Sequence, residues 1–162
     1  MARILVVDDD SVIRELLVEV LEDESGHDVI VAANGQAALD QLSQHEVDAV
    51  VCDVNMPVMD GFEFVRNVRA NPELHDLPVL MISAAARLER VDPDLEVDMM
   101  LEKPFELTSL LACVSFILNG VKAGTRVGSH TVRVTRRRAA SQLERIVQSR
   151  RRQLHFGGSS AD

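Results

Sequence analysis

Three short polar signatures follow apolar runs in this chain, and their residue types could share one reaction centre. Asp8 and Asp9 follow the first run, Asp53 follows a later one, and Lys103 follows a third. If each run is a strand of one parallel sheet, the three signatures end at the same edge, where ligands bind in such sheets. Carboxylates from two strands and an ammonium from a third can hold a divalent cation and a phosphoryl group.

Clustered carboxylates repel one another, and a divalent cation relieves that repulsion. Mg²⁺ takes oxygen ligands and is often held by one or two protein carboxylates together with waters and phosphate oxygens. We interpret Asp9 and Asp53 as direct ligands, Asp8 as a ligand through a water, and the backbone carbonyl of Asn55 as a further oxygen. We interpret Asp10 as a cap of the following helix, because the helix dipole favours an acid there.

Asp53 is the candidate phosphoryl acceptor. Its carboxylate could attack a phosphoryl group in line and form an acyl phosphate, with the protein contributing position and charge neutralisation. Lys103 supplies a mobile point charge for phosphate oxygens. Ser83, at the end of another apolar run, offers a hydroxyl to the same group.

Short apolar runs alternate with helical patterns over the first 118 residues. The alternation predicts an α/β fold in which helices cover both faces of a five-stranded parallel sheet, and right-handed crossovers with one reversal give the strand order 2-1-3-4-5. Strands are predicted at 3–7, 28–32, 49–52, 78–82 and 97–101. Helices are predicted at 11 to about 24, capped by Ser11, at about 35–42 and 62–70, and from 106 to about 118. Between residues 84 and 96 the pattern predicts a short or irregular helix.

The charge divides the chain into two parts. Residues 1–118 carry 7 Lys and Arg against 24 Asp and Glu, whereas residues 119–162 carry 10 against 2. We therefore expect one domain at 1–118 and a basic extension at 119–162 without a complete effector domain. The acidic part argues against nucleic-acid binding by that part itself. With no signal-like or membrane-length apolar run, and two cysteines at positions expected to be buried, we expect a cytoplasmic protein.

Four segments of the chain resemble the receiver domain of bacterial two-component response regulators. They are Val7–Asp10, Asp53–Gly61, Ser83-Ala84 and Lys103–Phe105, and the resemblance covers residues 1 to about 118. It implies the flavodoxin-like form of the predicted sheet. It also implies a signalling phosphoacceptor, which catalyses only its own phosphorylation and dephosphorylation, rather than an enzyme with a separate substrate.

The resemblance also implies a role for each candidate site residue. Asp53 would accept phosphate from a phosphohistidine of a sensor histidine kinase or phosphotransfer protein. Asp8 and Asp9 would be the metal pair for Mg²⁺, Lys103 the partner of the acceptor and its phosphate, and Ser83 the hydroxyl that reads phosphorylation.

The chain departs from the receiver pattern around its last strand and helix. Met100 stands where relatives usually have Tyr or Phe, and Glu96 stands where they usually have Gly. The last helix is apolar on nearly every side from Leu110 to Leu118, whereas a surface helix normally has a polar face. We expect a second subunit, a partner or the chain's own tail to cover it.

Several interpretations of the basic extension stay open. Residues 131–135 have the alternation of a short strand, and 141–153 have the pattern of a helix. The clusters Arg136–Arg138 and Arg150–Arg152 fit a solvated tail, docking on the acidic part or on a partner, or binding to nucleic acid. The leading hypothesis is a single-domain response regulator that switches contacts with a downstream protein. The alternatives are a nucleic-acid-binding regulator using the tail, and a receiver-like scaffold that is not phosphorylated.

Overall fold

The computed structural model describes residues 1–84, 92 and 94–122, and in this part of the chain one parallel sheet carries helices on both faces. The strands are β1 Arg3–Val7, β2 Asp28–Ala32, β3 Ala49–Asp53, β4 Val79–Ala84 and β5 Met99–Lys103. The helices are α1 Ser11–Asp23, α2 Gly35–Gln44, α3 Gly61–Ala70 and α4 Leu107–Lys122. The strand order is β2-β1-β3-β4-β5, which confirms the predicted order and fold class. The elements predicted at 131–135 and 141–153 lie outside the described residues, as does most of the segment 84–96.

Two apolar cores lie on opposite faces of the sheet. One joins the sheet to α2 and α3, and its largest fully buried side chain is Phe64. The other joins the sheet to α1 and α4. Strand β3 is buried along its whole length because both faces are covered, which explains its uninterrupted apolar sequence.

Each of the first three helices begins at a side-chain cap. Asp10 caps α1, because its carboxylate accepts hydrogen bonds from the backbone N–H groups of Val12 at 2.9 Å and Ile13 at 3.4 Å. Ser11 was predicted as this cap and is instead the first helical residue. Asn34 caps α2 and Asp60 caps α3 in the same way.

The structure shows how the last strand and helix, which depart from the receiver pattern, pack against the sheet. Met100 is buried in the core that joins the sheet to α2 and α3, where its flexible apolar side chain can pack. Helix α4 runs to Lys122, past the predicted end near Leu118. One stripe of α4 packs against the sheet, formed by Leu110, Cys113, Val114, Ile117 and Leu118. That a second subunit, a partner or the chain's own tail covers the rest of the helix stays a prediction.

Arg69 joins three segments at the amino edge of the sheet. Its guanidinium donates hydrogen bonds to the carbonyls of His75, Leu77 and Glu96 at 2.8–3.0 Å and to Asp98 Oδ2 at 2.8 Å. The same Asp98 oxygen accepts the Val79 N–H at 2.8 Å. This holds Asp98 in the turn before β5, and β5 begins at Met99 rather than at the predicted residue 97.

In the described ranges 1–84, 92 and 94–122, no helix is both long enough and apolar enough to cross a membrane.

Candidate acidic site at the carboxyl edge of the sheet

The strand register brings the predicted site residues to one edge. Val7 pairs with Cys52, so Asp8 and Asp53 leave adjacent strands side by side. On the other side of β3, Asp53 pairs with Ile82, the residue before Ser83. Strand β5 ends at Lys103, beside the end of β4.

Lys103 pairs with both buried carboxylates. Its Nζ lies 2.6 Å from Asp53 Oδ1 and 3.8 Å from Asp8 Oδ2. Asp8 is 3% exposed and Asp53 is 5% exposed, so solvent screens neither charge effectively. A single ammonium therefore offsets two desolvated negative charges, which leaves the site with an excess of negative charge.

Backbone groups orient the second oxygen of each carboxylate. Asp53 Oδ2 accepts the N–H of Asn55 at 2.8 Å, and Asp8 Oδ1 accepts the N–H of Asp10 at 2.9 Å. These short loop contacts hold each carboxylate in one orientation, as a reacting or ligating group requires.

The electrostatics of the site favour an added cation. Burial raises the pKa of Asp8, and the charges of Asp53 and Asp9 raise it further, against the opposing effects of the Asp10 N–H and Lys103. Burial alone would lower the pKa of Lys103, but its hydrogen bond with Asp53 and the surrounding acid charges raise it overall. Both shifts show that positive charge is stabilised here and that ionised Asp8 is not fully compensated.

The predicted metal ligands differ in burial. Asp9 and Asn55 are exposed, whereas Asp8 and Asp53 are buried. Within residues 1–84, 92 and 94–122, no group of three or more acid, histidine or cysteine side chains is arranged as a metal cluster. Two convergent carboxylates nevertheless fit Mg²⁺, which commonly binds one or two carboxylates and completes its shell with waters and phosphate oxygens.

Among the described residues, Ser83 places a hydroxyl without a hydrogen-bond partner on the strand next to that of Asp53. The residue is 1% exposed, and its Oγ has no hydrogen-bond partner in the described part of the chain. A buried hydroxyl without a partner loses its hydration without compensation. Such a group at the edge of the site indicates a place where an acceptor oxygen would be stabilised.

Two residues that support the site were not assigned roles from the sequence. Arg14 of α1 donates from Nη1 to the backbone carbonyl of Asp8 at 2.7 Å and anchors that strand end. Gly61 has no room for a side chain, because an added Cβ would overlap the Asp53 carbonyl oxygen and lie 2.9 Å from Val54 Cα. Gly61 lies within a segment that the resemblance already marks, whereas nothing local in the sequence marks Arg14.

Comparisons with known proteins point to one family. The family model for the response regulator receiver domain matches residues 4–115. The response regulator MprA of Mycolicibacterium vanbaalenii is 43% identical over 118 residues, which are 72% of this chain and 50% of MprA. The chemotaxis protein CheY-3 of Vibrio cholerae is 38% identical over 110 residues, which are 67% of this chain and 85% of CheY-3. The chain thus spans about half the length of MprA.

Solved structures show the same fold. A response regulator from Chloroflexus aurantiacus, 35% identical, aligns with a TM-score of 0.68 over 73% of this chain and 98% of its own. The receiver domain of a sensor histidine kinase from Pseudomonas aeruginosa, solved with a magnesium ion coordinated in its active site cleft, aligns with a TM-score of 0.67. It covers 73% of this chain and 98% of its own, and at 24% identity it shows the fold alone.

A doubly wound parallel sheet that carries two aspartates and a lysine at its carboxyl edge has the arrangement of a receiver domain. The chain belongs to the response regulator receiver domain family.

Proposed function

We propose that Asp53 accepts a phosphoryl group from a phosphohistidine of a sensor histidine kinase or phosphotransfer protein. The contact that carries this proposal is the 2.6 Å hydrogen bond between Lys103 Nζ and Asp53 Oδ1. It places an ammonium beside the carboxylate, where it can neutralise the charge of an incoming phosphoryl group, and such charge neutralisation is a main contribution of a protein to phosphoryl transfer.

The transfer exchanges one bond to phosphorus for another. A carboxylate oxygen of Asp53 attacks the phosphorus in line while the bond between phosphorus and the histidine nitrogen breaks, and its electron pair returns to the imidazole. The product on this chain is an acyl phosphate. The hydrogen bonds of Asp53 to Lys103 and to the Asn55 N–H keep the carboxylate aimed during this step.

Asp8, Asp9, Asp53 and the Asn55 backbone carbonyl would hold Mg²⁺ at this site. When bound, the ion supplies positive charge to the transferring phosphoryl oxygens. The uncompensated charge of buried Asp8 supports this assignment, and the exposed position of Asp9 suits a ligand that also contacts solvent.

Phosphorylation would act on the rest of the protein through Ser83 and Lys103. The unpartnered Ser83 hydroxyl can donate to a phosphoryl oxygen on Asp53, and Lys103 can shift from the carboxylate to that oxygen. The switch changes which downstream protein the receiver binds. The chain acts as a phosphoacceptor and not as an enzyme on a separate substrate.

The test is phosphorylation of the full chain with magnesium and either acetyl phosphate or a phosphorylated kinase. We expect an alkali-labile phosphoryl group that Asp53→Asn abolishes. Asp60→Asn is the matched control, because it makes the same change at an exposed helix cap seven residues away. Undiminished labelling of the Asp53 variant would refute the assignment, and absence of labelling in the unmodified protein would favour a receiver-like scaffold.

A further inference from the structure

An open cleft of about 280 Å³ lies at the edge of the sheet opposite the acidic site. The start of the chain, the turn after α1 and the outer side of α4 form its walls. Its lining includes Ala2, Glu24, Ser25, Leu111, Leu118 and Asn119. On the α4 side the lining combines Leu111 and Leu118 with the polar Ser115 and Asn119, and on the α1 side it includes Glu24 and Ser25.

Three acids at the end of α1, of which Glu24 lines the cleft, lie where the helix dipole disfavours negative charge. Glu22, Asp23 and Glu24 are all exposed at the C-terminal end of α1, and the last turn has no basic residue. This end carries the negative pole of the helix dipole, so acids there are unfavourable and cations are favoured. Within the described residues, none of these three acids forms an ion pair. These uncompensated negative charges beside the cleft would attract a basic partner.

The chain itself continues from the α4 side of the cleft. Helix α4 ends at Lys122, three residues after Asn119, and residues 123–162 contain nine arginines against two acids. Within that segment, residues 141–154 combine an apolar stripe at helical spacing with basic side chains. The stripe is Leu143, Ile146, Val147 and Leu154, and the basic residues are Arg145 and Arg150–Arg152.

The connection is long enough to let this segment reach the cleft. Eighteen residues separate Lys122 from residue 141. A chain of that length can span up to about 60 Å when fully extended, so length does not prevent residue 141 from reaching a site that begins beside α4. Because the segment is tethered to the domain, its effective concentration at nearby surfaces is high. A separate partner must compete with it for the same surface.

We propose that residues 141–154 of this chain dock in the cleft, with the apolar stripe against Leu111 and the arginines against Glu22–Glu24. The occupant is the chain's own tail, because it supplies both the missing positive charge and an apolar face, and because it leaves the domain at the cleft. The docking surface lies away from Asp53, so this proposal stands or falls independently of phosphorylation.

Disulfide crosslinking of the full chain tests the proposal. Ser25→Cys lines the cleft, and Ser149→Cys lies at the edge of the apolar stripe. The native thiols, Cys52 and Cys113, are buried and do not compete. We expect this pair to form an intramolecular crosslink under mild oxidation about tenfold faster than a control pair of Ser43→Cys with Ser149→Cys. Ser43 is exposed on α2, on the other face of the sheet.

A second comparison isolates the charge. Glu24→Lys in the crosslinking variant should slow the reaction severalfold, whereas Glu73→Lys makes the same change on the loop after α3 and should leave the rate unchanged. Both residues are exposed, so neither substitution threatens folding. Equal crosslinking rates for the Ser25 and Ser43 pairs would overturn the proposal. Crosslinked dimers in place of monomers would overturn it in favour of a second copy in the cleft.

Discussion

The ammonium of Lys103 lies 2.6 Å from Asp53 Oδ1, and this contact joins residues 50 positions apart in the chain. Arg3 and Asp28 form an ion pair of the same length, but both of their side chains are 42% exposed, whereas the Asp53 side chain is 6% exposed. The two pairs thus differ in environment and not in distance. Their contributions to stability should differ accordingly, because water weakens the exposed pair.

Lys103→Met should lower the free energy of unfolding by about 1–3 kcal/mol. The variant leaves buried Asp53 without its cation, and the loss stays below that of a fully buried pair because Lys103 is 36% exposed. Arg3→Met, the matched control, should cost at most about 1 kcal/mol. Urea unfolding at neutral pH without magnesium measures both values. Equal losses would contradict the distinction drawn from burial.

Asp8→Asn should stabilise the metal-free protein at pH 7. Burial raises the pKa of Asp8 in the folded protein above its value in the unfolded chain. The contribution of Asp8 to the free energy of unfolding is therefore most favourable at low pH and is lost as the pH rises through the folded pKa. Asparagine keeps an oxygen for the Asp10 N–H without the charge. Unfolding curves in chelator should show the gain at pH 7 and its disappearance near pH 3.

The same variant should lose the stabilisation that magnesium gives to the unmodified protein. A ligand that binds only the folded state raises stability in proportion to the logarithm of its concentration, once above its dissociation constant. Asp10→Asn is the control, because it changes an exposed helix cap next to the site. Magnesium stabilisation that survives in the Asp8 variant would remove Asp8 from the ligand set.

Gly61→Ala should destabilise the fold and slow phosphorylation together. Its Cβ would overlap the Asp53 carbonyl oxygen, which is backbone and cannot rotate away. The strand end that carries the acceptor must then move, and we expect a loss of about 1–3 kcal/mol. Gly35→Ala is a useful comparison, because two of its three nearest contacts are atoms of the flexible Met59 side chain. Thermal melts and labelling rates of both variants should rank Gly61 as the more sensitive position.

Val58→Asn should stabilise the loop between β3 and α3. Val58 has φ of +70° and is 82% exposed, so a β-branched residue occupies a left-handed conformation without compensating burial. Asparagine tolerates this conformation, and we expect a gain of about 1 kcal/mol. Val12→Asn, at an exposed position inside α1, should give no gain. A matching gain there would mean that polarity, and not backbone strain, is responsible.

Arg69→Met should cost about 2–4 kcal/mol, because it leaves three backbone carbonyls and Asp98 without their donor. Arg69→Lys should recover only part of this, since an ammonium lacks the planar fork of the guanidinium. Arg66→Met, an exposed change on the same helix, should stay within about 0.5 kcal/mol. Equal losses of stability in the Arg66 and Arg69 variants, measured by chemical denaturation, would contradict the stabilising role of the Arg69 hydrogen bonds.

The sequence by itself determined the sheet and the composition of its carboxyl edge. Apolar runs bounded by turn residues mark each strand locally, and the strand order follows from right-handed crossovers. Asp8, Asp53, Ser83 and Lys103 directly follow or end such runs, and the register places them at one edge. Strand ends are local properties, so their side chains could be placed before the structure was known.

Only the tertiary structure decided how these groups differ from one another. Asp8 and Asp9 are neighbours of the same type, yet packing buries the first and exposes the second. The donors of Arg69 reach carbonyls up to 27 residues away, and Ser83 is left without a partner, because these outcomes depend on distant segments meeting in space. Burial and long-range contacts set the charge balance of the site, and neither can be predicted from the local pattern of residues.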